Sequence, residues 1–321
     1  MRRERLIPLL EWARKEGMSE SLARKWIREG RVEAVRLGHY WYIPEVVDGP
    51  EQGTQTYTFF THAGGAGKTS LARDLGFELA SRGYRVLLVD ADPQANLTAW
   101  LGVDPNSVEE EETLLKVIRQ DLLPRPRQVG RNLYLIPASV NLAMGELELD
   151  KKPLGALALR TALERVEGEY DLVLVDSLPS LGSLAVMAAL AGDGLLVPVE
   201  TGAKGIQALG AVVQVAKEYR EALRKVNPEG VAGRSHIISA FIPTKYDART
   251  QGDNRILQAL GELEEIAPVA PRVAYRPGPH RKATEGQIPI QLTGDREAAE
   301  EVALLTDFLL KRVFRFEEVV A

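Results

Sequence analysis

The sequence predicts an α/β protein: a mostly parallel, twisted sheet flanked by helices, preceded by a small N-terminal unit of helix, turn, helix and wing. Three observations carry this. Apolar runs of strand length near residues 56–61, 86–90, 133–136, 171–176, 194–197, 236–241 and 267–274 alternate with helical segments, an order that builds parallel sheets with ligands at the C-terminal strand ends. A glycine-rich loop, Ala63, Gly64, Gly65, Ala66, Gly67, Lys68, Thr69, Ser70, follows the first run. Two later runs end in acids, one in Asp90 and Asp92, the other in Asp176.

The N-terminal unit comes first in the chain. Leu6, Leu9, Leu10 and Ala13 have helical spacing, Gly17 ends that helix, and Ser19 can cap a second one running to Glu29, which Gly30 closes. Val32–Ile43 alternates enough for a hairpin about Leu37 and Gly38, with Tyr40, Trp41 and Tyr42 on the return strand. Leu22, Trp26 and Ile27 are expected in the unit's core. That leaves Ser21, Arg24, Lys25 and Arg28 on exposed faces suited to the bases and phosphates of a major groove, with Arg36 and His39 at the wing. The alternative is a small helical unit with a solvated basic face. Residues 1–44 hold ten Lys/Arg against six Asp/Glu, and the remainder thirty against thirty-nine, so a basic module precedes an acidic one. The polar stretch Asp48–Gln55 marks the join, which divides the chain into 1–48, a linker over 49–55, and 56–321.

Composition narrows the function. Without cysteine there is no disulfide framework and no thiolate zinc or iron–sulfur site. No apolar run reaches membrane-spanning length and no cleavable signal pattern opens the chain, so a cytoplasmic location is expected.

The glycine-rich loop has a specific chemistry. Its glycines let consecutive N–H groups turn inward around a phosphate chain, Lys68 adds positive charge, and the Thr69 hydroxyl can ligate Mg²⁺. The helix that starts there contributes its positive end. In the strict G-x-x-x-x-G-K-[ST] pattern the first glycine would stand at His62, so the match is partial.

The spacing Gly-Gly-x-Gly-Lys-Thr resembles instead the deviant phosphate loop of the ParA/MinD family of ATPases. Arg85–Leu97 (RVLLVDADPQANL) is similar to that family's D-x-D-P-Q motif, and Tyr170–Gly182 (YDLVLVDSLPSLG) to its D-x-P-P-S-L-G stretch, with Leu178 in place of one proline. Smaller echoes are Leu135–Ala143, Leu195–Glu200 and Tyr246–Thr250 (YDART), so the resemblance covers residues 55–312. The N-terminal text KWIREGRVEAVRLGHYWYIP resembles MerR-type and excisionase-type helix-turn-helix units.

The resemblance implies a P-loop NTPase fold of the deviant Walker A class and a partition ATPase using ATP and Mg²⁺. Gly64, Gly65, Ala66, Gly67, Lys68, Thr69 and Ser70 would cradle the phosphates, with Lys68 bridging the outer two. Thr69 and Asp176 would hold the metal with support from Asp90, and Asp92 would position the attacking water. ATP would drive a homodimer that binds DNA without regard to sequence through Arg249, Arg276 and Arg281, placing the protein on the nucleoid. A ParB-like protein would stimulate hydrolysis, and the N-terminal unit would bind an operator. Other functions in the same family are cargo positioning, an ATP-switched transcriptional regulator, and MinD-like membrane association. The last is suggested by Phe308–Phe316 (FLLKRVFRF), a segment expected rather to close the fold.

One position departs from the family pattern. Ala63 stands where the family has a lysine that crosses a sandwich dimer to the partner's nucleotide. Either hydrolysis is very slow or another cation substitutes. Lys204, just past the strand Leu195–Val197, is the candidate catalytic cation, with Lys151 and Lys152 behind it.

Overall fold

The computed structural model describes residues 2–37, 40–48, 53–226, 228 and 237–316. The chain opens with β1 (Arg2–Pro8), α1 (Leu9–Lys15), α2 (Glu20–Arg28), β2 (Val35–Leu37) and β3 (Tyr40–Asp48). β1 and β2 both pair antiparallel with β3, setting Leu6 opposite Pro44 and Val35 opposite Tyr42. The first helix therefore starts at Leu9, not Leu6. A residue preceding proline is driven out of the helical region, so Ile7 stays extended, and Pro8 (φ −53°, ψ 136°) takes the N-cap. The arginines before it belong to a strand.

Ser19 does cap α2, its hydroxyl accepting from the Leu22 amide at 3.3 Å. The unit's core is Leu9, Ala13, Ala23 and Ile43, bordered by Trp12, Ile27 and Trp41. Leu22, expected inside, is exposed. With α2 beginning at Glu20, the seam falls on Ala23 and Ile27, four residues apart, and Leu22 turns away from it. Gly38 and His39 lie outside the described residues.

The larger part runs β4 (Gln55–Phe59), α3 (Lys68–Ser81), β5 (Val86–Ala91), α4 (Asn96–Trp100), α5 (Leu114–Gln120), β6 (Arg127–Gly130), β7 (Leu133–Ile136), α6 (Met144–Leu149), α7 (Ala158–Glu164), β8 (Leu172–Ser177), α8 (Ser183–Ala189), β9 (Gly194–Glu200), α9 (Ala203–Val226), β10 (Ile238–Thr244), α10 (Gln251–Gly261), α11 (Pro277–Glu285) and α12 (Arg296–Arg312). Among the described residues these strands form one sheet in the order β10-β9-β4-β8-β5-β7-β6. All pairings are parallel except β6 with β7.

Both faces are covered, and strand residues alternate between two cores. Leu88 and Leu174 meet Leu71, Leu75 and Leu79 of α3 and Leu305 and Leu309 of α12. Leu87, Val89, Val173 and Val175 meet Leu114, Leu159, Leu184 and Met187 on the other side. Gly76 allows α3 to lie close on the sheet, since a Cβ there would stand 2.8 Å from Leu88. The run 267–274 is not a strand. It makes only isolated bridges, Phe241 with Val269 and Tyr246 with Ala274, because Pro268 and Pro271 cannot donate to a ladder. The antiparallel edge strand β6 was not apparent in the apolar pattern.

The segment that follows α12 closes the fold. Phe314 is buried with its ring 5.0 Å from Tyr57, and Phe316 stacks on Tyr84 at 4.9 Å. The apolar side chains of Leu309, Phe314 and Phe316 are therefore spent in packing. No helix among the described residues is long and apolar enough to cross a membrane. The N-terminal unit rests on this body through Leu6 and Tyr42, which meet Leu292, Phe77 and Ile288. Burial beside Glu78 pushes the Tyr42 hydroxyl up to about 12.

A buried ion pair fixes α3 from below. Arg73 Nε and Nη2 donate to Asp74 at 2.7 and 3.1 Å, and the same carboxylate accepts from the Ile290 amide at 2.9 Å. Arg73 also lies 5.3 Å from the centre of the Trp100 ring. Removing one member strands the other in the core. Asp74→Ala is expected to destabilise the protein by about 3–5 kcal/mol, whereas replacing both residues with apolar ones costs far less. Urea denaturation of the two variants checks this.

Candidate functional site

Parallel register brings the acids together. β8 lies between β4 and β5, so Asp176 stands opposite Phe59 on one side and Asp90 on the other, all at C-terminal strand ends. The chain leaves β4 at this edge and turns through the glycine-rich loop into α3. Gly65 (φ 79°) and Gly67 (φ 91°) take the left-handed conformation that residues with a Cβ avoid, and Gly67 is the N-cap of α3. The loop is tied down by two bonds and the strand that feeds it by a third. Lys68 Nζ donates to the Thr61 carbonyl at 3.2 Å, the Thr244 hydroxyl to the Ala66 carbonyl at 2.9 Å, and Ser177 Oγ to the Phe59 carbonyl at 2.6 Å.

The two deepest acids differ. Asp90 has its oxygens committed: one accepts from the Asp92 amide at 3.2 Å, the other from the amide and hydroxyl of Thr98 at 2.9 and 2.7 Å. It shapes the Asp92 turn, and burial raises its carboxyl to about 6 in spite of those bonds. Asp176 is equally buried, yet neither oxygen meets full hydrogen-bond geometry. Burial and the neighbouring Asp90 hold it well above the usual carboxylate range, and the nearby Thr69 hydroxyl and Lys68 offset only part of this. Burial likewise lowers Lys68, against the pull of Asp176 and Asp92. Asp92 is partly exposed, one oxygen accepting from the Gln94 amide at 2.9 Å.

A buried carboxylate with two unpartnered oxygens, facing a threonine hydroxyl and a lysine, fits a cation. Mg²⁺ is usually held by one or two carboxylates together with phosphate oxygens.

Beside the loop opens a cavity of about 450 Å³ lined by Gly65, Ser70, Trp100, Lys245, Tyr275 and His280, within the size range of small-ligand sites. Burial holds His280 below its ordinary value. Of the cavity residues, Trp100, Lys245, Tyr275 and His280, with Thr98 and Thr244, went unrecognised in the sequence. For Lys245 the only signal was its place directly before Tyr246–Thr250.

The other predicted residues are scattered. Lys204 lies in the first turn of α9, and its side chain is outside the described residues. Lys152 is tied to Asp121 at 2.8 Å and to the Ile118 carbonyl, on α5. Arg24 and Lys25 pair with Glu20 and Glu29 one helical turn away, Arg28 is exposed, and Arg36 lies 5.9 Å from the centre of the Trp41 ring. Arg249 pairs with Asp247 at 2.6 Å but remains open to solvent, and Arg281 is exposed. Arg276 is spent on Glu297 and Glu301, at 2.8 and 3.0 Å. Glu146 accepts from the Leu184 amide at 3.1 Å and Ser183 bonds Asp150, holding α6 against the first turn of α8. Val140, Met144, Leu147, Leu154 and Leu181 are all exposed on and around α6.

This fold and loop define a P-loop nucleotide-binding protein, and residues 54–227 match the family model described as an AAA domain. The chain is 58% identical over 314 residues to the "Probable plasmid-partitioning protein ParA" of Thermus thermophilus, covering 98% of this chain and 95% of that one. It is 34% identical to the sporulation initiation inhibitor protein Soj of Bacillus subtilis over 63% of this chain and 76% of that one. An ATP complex of a McdA variant from Cyanothece has the same fold, with a TM-score of 0.69 at 23% identity, covering 84% of this chain and 99% of that one. The chain belongs to the ParA/MinD family of partition ATPases.

The raised acids set a pH dependence. An unfolded aspartate titrates near 3.9. As pH rises the unfolded chain loses these protons before the folded one does, so stability falls as Asp90 and Asp176 ionise in the fold. Asp176→Asn is expected to melt about 2–4 °C higher than the parent at pH 7.5, and to flatten the pH profile. Thermal melts between pH 4 and 8 check both.

Proposed function

We propose that the chain is a ParA-type partition ATPase that binds Mg²⁺–ATP, dimerises on it, binds DNA and is reset by hydrolysis under a ParB-like partner. The observation that carries this is Asp176, buried and unpartnered beside Lys68 and Thr69 at the mouth of the phosphate loop. The amides of Gly64–Ser70 and the Lys68 ammonium hold the phosphates. Thr69 and Asp176 hold the metal, whose role when bound is to neutralise charge on the outer phosphates. Asp90 keeps the Asp92 turn in place, and Asp92, open to solvent on one side, orients the attacking water. The nucleoside extends into the adjoining cavity, between Trp100 and Tyr275.

Dimerisation uses the apolar face around α6. Isolated exposed leucines are ordinary, but five large apolar side chains around one short helix, hydrogen-bonded to the first turn of α8, the helix that follows the Asp176 strand, make a surface that nucleotide can organise. Lys204 is retained as the cation that reaches the γ-phosphate, because α9 begins at the same edge of the sheet.

DNA contacts fall to two places. Arg249 and Arg281 give sequence-independent contacts. The unit over 1–48, joined by 49–55, reads an operator with Arg24, Lys25, Arg28 and Arg36. The glutamate partners of Arg24 and Lys25 do not prevent this, since exposed ion pairs are worth at most about 1 kcal/mol. Nucleoid association follows from the DNA contacts.

Sedimentation with and without Mg²⁺–ATP, alongside binding to a random duplex, tests the proposal. The parent should dimerise and bind DNA only with ATP. Lys68→Ala should lose both and Leu147→Glu the dimer, while Arg249→Ala/Arg281→Ala should stay dimeric and bind DNA about tenfold or more weakly, with a shallower salt slope. A nucleotide-independent monomer would refute the proposal.

A further inference from the structure

The phosphate loop carries one lysine, Lys68, and position 63 supplies none. A second ammonium reaches the loop from another element. At the end of β10, Lys245 has φ 55°, a left-handed conformation unfavourable for any side chain with a Cβ. Flanking bonds enforce it. The Thr244 hydroxyl donates to the Ala66 carbonyl at 2.9 Å, the Tyr246 amide to the Val273 carbonyl at 3.1 Å, and the Asp247 amide to Asp253 at 2.8 Å. The outcome is directional: Lys245 Nζ lies over Gly65, 3.5 Å from where a Cβ on that glycine would stand, and the side chain lines the cavity beside the loop. Its described acidic partner is Glu200, at 3.7 Å, and the side chain remains 38% exposed. A strained residue that aims a weakly paired ammonium at a phosphate loop is a feature of a binding site rather than of a core.

We infer that Lys245 is a phosphate-binding cation of this site beside Lys68, supplied within the same chain and separate from the γ-phosphate role proposed for Lys204. The inference rests on the nucleotide-binding reading above. Position sets its consequence. Because Lys245 belongs to the protomer that holds the nucleotide, its charge acts on ADP and ATP alike and before any dimer forms. Glu200 holds the ammonium until phosphate arrives as the more strongly charged partner.

Calorimetric titration of the full chain with ADP, ATP and adenosine tests this. Lys245→Met should weaken ADP and ATP by about ten- to a hundredfold, the range for a hydrogen bond to a charged group. Adenosine binding should stay unchanged, and Lys245→Arg should recover most of the loss. Lys245→Gly relieves the backbone strain, so it should fold well and still show the same selective loss. Equal losses for adenosine and ADP would overturn the inference in favour of a nucleoside wall, and unchanged ADP binding would reduce Lys245 to a surface partner of Glu200. If the parent binds neither nucleotide, or Lys68→Ala leaves binding intact, the nucleotide reading itself falls, and the inference with it.

Discussion

The phosphate loop is held in shape by side chains bonded to main-chain oxygens around it, and the site depends on that constraint. Lys68 fastens α3 to the carbonyl of Thr61, Thr244 fastens the loop to β10 through Ala66, and Ser177 fastens β8 to the end of β4. A loop of glycines loses much conformational freedom on ordering, so its fixed shape has to come from such ties. With the loop fixed, register alone places Asp90 and Asp176 side by side beneath it.

Those acids work against the fold that holds them. Burying charge without a partner is unfavourable, and both aspartates are held at raised pKa. The apolar layers on either side of the sheet supply the stability that tolerates them. Asp90 accepts well-formed hydrogen bonds from Asp92 and Thr98, whereas Asp176 has only the nearby Thr69 hydroxyl, short of full hydrogen-bond geometry. The contrast between two adjacent, equally buried carboxylates separates one whose oxygens are bonded to the surrounding chain from one whose oxygens are not. α3 carries this arrangement outward. It begins at Lys68, and at its far end Phe77 and Glu78 touch the N-terminal unit through Leu6 and Tyr42.

Much of this was legible in the sequence, for a physical reason. Strands buried on both faces read as continuous apolar runs, and a phosphate loop and its acids must fall where such runs end. β4, β5, β8 and β9 were therefore found, and Lys68, Thr69, Asp90, Asp92 and Asp176 lie at or just beyond the strand ends where the runs put them. The misses involve information that periodicity does not hold. Pro8 moved the first helix, and Pro268 and Pro271 dissolved a strand whose composition was apolar. Leu22 faced outward although the cap and start of its helix were read correctly, because the packed seam falls on Ala23 and Ile27. Lys245, like the cavity beside it, became visible only when β10 was laid next to the loop, some 180 residues earlier in the chain.

If the site is built before ligand arrives, a crystal structure with Mg²⁺ and a non-hydrolysable ATP analogue should show it nearly unchanged. The backbone of residues 63–70 is expected to move by less than about 1 Å, with Gly65 and Gly67 still left-handed, the metal on Thr69 and Asp176, and the base in the cavity beside Trp100 and Tyr275. Phosphates bound elsewhere, or a loop that has to refold around them, would contradict the claim that side-chain ties to the main chain prepare this site.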